Sequence, residues 1–193
     1  MPGTPNDATD EQLMLAFSRG SADAFTELFS RYKQPVFGFF RRRVPDQSHA
    51  EELTQETWVA ILRASSRYEV SALFRTYLYA IAFKILRAHR RKAAFRALFL
   101  GTDSTEPSTP STLDTDLSVR HAIAKLDSHD REILLLREFE QLSYAEIAEL
   151  LKLPLNTVRS RLFRARTALH DLLAAPAPTS STNTAFATTE ERA

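Results

Sequence analysis

The chain has 193 residues, with 25 Lys and Arg against 24 Asp and Glu, room for one domain or two small ones. It holds no cysteine, which excludes disulfides, thiolate catalysis and cysteine-ligated zinc. The start MPGTPNDATDEQ lacks a basic-then-apolar signal pattern, and no apolar run reaches bilayer length. The expectation is therefore a cytoplasmic chain with no membrane insertion.

The near-neutral balance conceals segregation of sign. From Phe74 to Leu100 there is no acidic residue, while Arg75, Lys84, Arg87, Arg90, Arg91, Lys92 and Arg96 are basic. Acidic residues gather at Asp46, Glu51, Glu52 and Glu56, and again between Asp103 and Asp116. Such segregation points to one surface for a polyanion and another for a basic partner.

Four glycines and few β-branched alternations predict an all-α chain. A first short helix is expected over 10–19 and a second over 21–43, with Phe25, Leu28, Phe29, Tyr32, Val36 and Phe40 at helical spacing. Pro35 should kink or interrupt it. Val44-Pro45-Asp46 ends it, and Asp46 or Ser48 can cap the next helix, over 48–65, which turns Leu53, Thr57, Ala60 and Ile61 inward with Trp58 beside them. Residues 66–72 read as a loop, followed by a long helix over 73–98.

On that long helix Phe74, Tyr77, Leu78, Ile81 and Ile85 share one face, which is assigned to the core. Tyr79, Phe83, Arg87, Arg90 and, at the edge, Arg91 collect on the other. Aromatic and basic residues interleaved on an outward face suit single-stranded nucleic acid, the rings stacking on unpaired bases while arginines track phosphates. The competing reading makes Tyr79 and Phe83 ordinary core under another element.

The segment GTDSTEPSTPSTLD has almost nothing to bury and reads as a flexible linker. A helix to about residue 126, a Ser128-capped helix to 138 and a helix-turn-helix follow, before the low-complexity stretch APAPTSSTNTAFATT. The expected organisation is two small helical domains, at 10–99 and 114–174, joined by the linker 100–113 and flanked by disordered ends at 1–9 and 175–193.

The helix-turn-helix is SYAEIAELLKLPLNTVRSRLFRAR. Ser143 and Glu146 form a capping box, and Pro154 suits the first turn of a new helix, where its missing N–H goes unneeded. Leu155, Val158, Leu162, Ala165, Leu169 and Leu172 then repeat in alternating steps that make one buried face. Asn156, Thr157, Ser160, Phe163 and Arg164 fall opposite, with Arg159, Arg161 and Arg166 on the flanks. Arg and Asn can bond base edges and an apolar side chain can touch a thymine methyl, so the pattern fits a major-groove reader. A solvated basic helix would carry the arginines equally well, but rarely an outward Phe.

The order and spacing of three motifs resemble those of RNA polymerase sigma factors of the extracytoplasmic-function group in the sigma-70 family. They are AEELTQETW from Ala50, FRTYLYAIAFKILRAHRRK from Phe74 and LSYAEIAELLKLPLNTVRSRLFRARTAL from Leu142. The resemblance implies core RNA polymerase as a partner, through its β′ clamp helices at Glu51, Glu52, Gln55 and Glu56 and through its β flap. It also implies promoter DNA as a partner, as duplex and as melted non-template strand, and an anti-sigma factor as a regulator.

Arg159, Ser160, Phe163 and Arg164, within a reader helix that also presents Asn156, Thr157 and Arg161, would read the minus-35 element. Tyr68, Arg75, Tyr79, Phe83, Lys84, Arg87, Arg90 and Arg91 would serve the minus-10 element and its melting. No cofactor, metal or catalytic residue is implied. The sequence departs from the family pattern at Lys84, where many members have Asn, at Tyr77 for the commoner Trp, and at Asn156 for a frequent Gly.

Two other function classes fit less well. A stand-alone helix-turn-helix regulator should bind a palindrome as a dimer, and no heptad seam is visible for one. A nucleic-acid enzyme should carry a clustered metal site, whereas His49, His89, His121, His129 and His170 are scattered without ligand spacing.

Overall fold

A computed structural model of the chain describes residues 8–70, 72–100 and 114–174. The expected tail 175–193, residues 1–7 and, but for Leu100, the linker lie outside the described residues. Among the described residues there are eight α-helices, one 3-10 turn and no strand.

The first group of helices comprises α1 (Asp10–Ser18), α2 (Ala22–Arg41), α3 (Gln47–Ala64), a 3-10 turn (Ser65–Arg67) and α4 (Phe74–Leu100). The expected disorder to residue 9 gives way to a capping box at Thr9, whose hydroxyl and backbone N–H are both paired with Gln12. Gly20, with φ of +102°, makes the left-handed turn between α1 and α2 that a Cβ would strain. Of the kink or interruption expected at Pro35, the interruption does not occur, and α2 runs continuously through it. Pro35 lies on the exposed side, while Leu28, Val36, Phe39 and Phe40 are buried, so packing of the inner face holds the helix across the missing N–H. Asp46 caps α3, accepting from Ser48 N at 3.3 Å. The opening of α4 is tied to α1, where Phe74 N donates to Glu11 Oε1 at 2.7 Å. Within this group α2 packs on α1 and α3, and α4 lies across α1, α2 and α3.

The second group comprises α5 (Asp114–Lys125), α6 (Ser128–Glu138), α7 (Tyr144–Leu151) and α8 (Leu155–Ala174), with α8 packed on the other three. The cap of α6 is Asp127 rather than the expected Ser128. Its carboxylate accepts from both His129 N and Asp130 N, two orphan donors that a shorter hydroxyl one residue later would miss. The Ser143–Glu146 capping box starts α7 as expected, and Lys152 in the left-handed region (φ 56°) ends it. Val158, Leu162 and Ala165 of α8 then face Ile133, Leu136 and Ile147 in the core. One buried cluster, from Leu13 to Ala165, runs through both groups.

Candidate nucleic-acid interface

The geometry of α8 follows from its period. Val158, Leu162 and Ala165 are sunk in the core, leaving Asn156, Arg159, Ser160, Phe163 and Arg164 on the open face. Thr157 and Arg161 are half-buried at its edges. Phe163 is 71% exposed, a large apolar ring surrounded by cations. Two of these arginines lean on the start of α6: Arg164 Nη2 is 3.2 Å and Arg161 Nη1 3.6 Å from Asp130 Oδ1. Arg159 Nη1 donates to Asn156 Oδ1 at 3.4 Å. The face therefore gathers all seven expected reader residues on the solvent side or rim of one helix, with two guanidiniums held by a carboxylate.

The long helix behaves differently. Lys84, Arg87, Arg90 and Arg91 are exposed, but Tyr79 and Phe83 are buried rather than outward, and so is Tyr68. The two-face division of α4 fails because the helix is covered from two sides. Tyr79 meets the ring of Phe39 on α2 at 5.6 Å and also faces Glu140 of the second helix group. Burial, reinforced by Glu140, pushes its phenol up to about 12. Tyr68 packs edge-on against Tyr77 at 5.1 Å. Its hydroxyl is buried without a hydrogen-bond partner, and burial followed by nearby Glu11 raises its pKa above the ordinary range. Arg75 is half-buried with its Nε unpaired. Exposed cations of α4 thus border rings that are not accessible in this arrangement.

On α3, Glu51, Glu52, Gln55 and Glu56 are all exposed and leave Leu53, Thr57, Trp58 and Ile61 to the core. Gln47 Nε2 donates to Glu51 at 3.0 Å, while Glu52, Gln55 and Glu56 form an open stripe with two carboxylates.

The sequence reading missed a third constellation, at the end of α2. Arg43 is 1% exposed, donating from Nε to Glu132 at 2.7 Å and from Nη1 to Glu140 at 3.1 Å, with its guanidinium 3.9 Å over the Phe39 ring. Glu140, fully buried, also receives Arg42 at 3.0 Å. Burial works against the charge of Arg43, and the two carboxylates more than offset it, so its pKa lies above its ordinary value. No local signal marks this cluster, because the partners are 89 and 97 residues apart along the chain.

Two family descriptions match this chain: Sigma-70 region 2 over residues 28–96 and Sigma-70, region 4 over 116–169. Among curated relatives, RNA polymerase sigma-H factor of Pseudomonas aeruginosa is 33% identical, the match covering 85% of this chain and 93% of the relative. Sigma factor CarQ of Myxococcus xanthus is 32% identical over 83% of this chain and 95% of its own. The ECF sigma-E factor of Haemophilus influenzae is also 32% identical, over 82% and 92%. Two solved structures share the fold. CnrH, in complex with the cytosolic domain of CnrY, has a TM-score of 0.63 and 24% identity, covering 85% of this chain and 96% of that one. RpoE of Bartonella quintana, in complex with the anti-sigma factor NepR, has a TM-score of 0.65 and 21% identity, covering 77% and 96%.

Proposed function

We propose, from the premise that this chain belongs to the extracytoplasmic-function group of the sigma-70 family of RNA polymerase sigma factors, that it grips one promoter at two spaced sites while seated on core polymerase. Residues 10–99 and 114–174 act as two domains. The stripe Glu51, Glu52, Gln55 and Glu56 docks on the β′ clamp helices, and the second domain meets the β flap. The outer face of α8 enters the major groove of the minus-35 element. Arg75, Lys84, Arg87, Arg90 and Arg91 serve the minus-10 element by drawing in phosphates, while the buried Tyr68, Tyr79 and Phe83 brace the helix and loop that carry them.

The observation that carries this reading is the composition of the α8 face. Phe163 at 71% exposure stands among Asn156, Arg159, Ser160 and Arg164, an arrangement that costs an unpartnered helix solubility and suits base edges and thymine methyls. Strand opening is driven by binding of the separated strand along the exposed cations of α4. No reacting group is required of the chain. No helix among the described residues is long and apolar enough to cross a membrane, and the site of action is the cytoplasm, with the polymerase. An anti-sigma protein, such as the one bound to RpoE of Bartonella quintana, is the expected inhibitor.

The test is transcription in vitro with core polymerase over a genomic library, with start-site mapping. The chain should assemble with the polymerase and start RNA at promoters sharing two spaced elements. Glu52→Lys with Glu56→Lys should abolish assembly; unchanged co-purification of that variant would reduce the acidic stripe to a solvated face. Tight specific binding to a palindrome without polymerase would overturn the whole reading.

A further inference from the structure

Of the five histidines spread along the chain, the fold brings two together. His49 stands in the first turn of α3 and His89 in the second half of α4, two helices that pack on each other. Their ring centres are 5.3 Å apart and the planes are inclined at 61°. His49 is exposed and His89 half-buried, so the pair opens at the surface. No spacing in the sequence signals it, because each ring comes from a different helix.

Three observations give the pair the character of a ligand set. The first is separation. Two imidazoles that share one ion, at nitrogen–metal distances of about 2.0–2.1 Å and a tetrahedral angle, have ring centres roughly 5 Å apart. The rings here already stand at that spacing.

The second is support behind the ring. His49 Nδ1 lies 3.1 Å from Asp46 Oδ2, and Asp46 is itself held by the backbone N–H and the hydroxyl of Ser48. A carboxylate on one ring nitrogen fixes the tautomer and leaves the other nitrogen, Nε2, as a bare lone pair. The third is charge. Glu52 and Glu56 both bear on His89, against Arg96 on the positive side, a balance that favours a dication. Burial, followed by the neighbouring His49, also holds the His89 pKa below its ordinary value, and the neutral ring is the form that ligates.

We infer that His49 and His89 together bind one divalent late first-row transition ion, of the zinc class, through their imidazole nitrogens, with Asp46 orienting His49 from behind. Imidazole selects this class over magnesium and calcium, which take oxygen ligands. Among the described residues no group of three or more such side chains forms. Water therefore fills the remaining positions, and the ion is held less tightly than in a closed four-ligand site. Its role is structural: it clasps the first turn of α3 to α4, beside the exposed stripe of Glu51, Glu52, Gln55 and Glu56.

The test uses the full chain without an affinity tag, stripped by chelator and titrated with zinc ion alone in a calorimeter. One equivalent should bind, and the melting temperature should rise with zinc concentration. His49→Gln and His89→Gln, each checked for folding by circular dichroism, should each lose at least the roughly 10–100-fold in affinity that removal of an outer partner costs. Asp46→Asn keeps a residue that caps α3 and should weaken binding by about 10–100-fold; an unchanged affinity would overturn the role given to Asp46. The triple variant His121→Gln, His129→Gln, His170→Gln should bind zinc as the wild type does. Copper ion, which binds such ligands more tightly than zinc, should show two coupled nitrogens by electron paramagnetic resonance in the wild type. Zinc binding that does not saturate, that survives either single substitution, or that vanishes in the triple variant would overturn the site. If the single variants do not fold, the wild-type copper spectrum decides, and one without two coupled nitrogens would overturn it equally.

Discussion

Replacing Arg164 with alanine tests the reader face most directly, because the structure separates its two costs. In the free protein Arg164 Nη2 lies 3.2 Å from Asp130 Oδ1, with the arginine side chain 62% and the aspartate 12% exposed. Arg161 stands 3.6 Å from the same oxygen, so truncating Arg164 does not strand the carboxylate. An exposed pair of this kind contributes about 0–1 kcal/mol, and the melting temperature should fall by no more than about 4–8 °C. A base-edge contact in the major groove contributes roughly 1–3 kcal/mol. At about tenfold per 1.4 kcal/mol, Arg164→Ala should lower use of a mapped promoter by roughly 5–150-fold. The assay is run-off transcription at saturating core polymerase, paired with competition against wild type for the polymerase. Arg164→Lys should fall between the two, since it keeps the charge without the planar fork. Unchanged start-site use would remove Arg164 from the reader face, and lost polymerase binding at intact promoter choice would move it to another interface.

Three further outcomes are expected. Leu162, 1% exposed in the core that α8 shares with α6, should cost about 2–5 kcal/mol on truncation to alanine; a loss below about 1 kcal/mol in denaturant titration would show that this seam is loosely packed. Partial burial pushes the Glu146 carboxyl up, but hydrogen bonds from Ser143 and Thr76, with Arg75 nearby, more than reverse this and leave it below its ordinary value of 4.5. Because the folded value is the lower one, its stabilisation is complete above about pH 4.5 and fades as pH drops through the folded value. Glu146→Gln should flatten that acid limb in thermal melts, and an unaltered limb would place the titration elsewhere. Lys84 is exposed on α4, so Lys84→Asn should reduce the salt dependence of single-strand binding by about 0.7 in log–log slope, and an unchanged slope would take Lys84 off the strand.

Most of the helices were legible because their causes are local. Ser143 and Glu146 sit one turn apart, the α8 leucines repeat at the helical period, and Leu153-Pro154 punctuates the turn, each within a few residues of what it controls. The open face of α8 was legible for the same reason: burying Val158, Leu162 and Ala165 leaves Phe163 and Arg164 no direction but outward. What local pattern leaves open falls where the cause is distant. Pro35 breaks isolated helices, but here the buried flanks at Val36, Phe39 and Phe40 carry α2 through it.

Which segments coil, and which face of α8 is free, follow from the sequence alone, since backbone hydrogen bonds and side-chain period act over a turn or two. Only the tertiary structure decided that Tyr79, Phe83 and Tyr68 lie inside and that Arg43 finds Glu132 and Glu140. A period reports how apolar a face is, not how many elements cover it. It also carries no record of a partner 97 residues away, which is found only when two helix groups meet and their charges must be paired or left dry and alone.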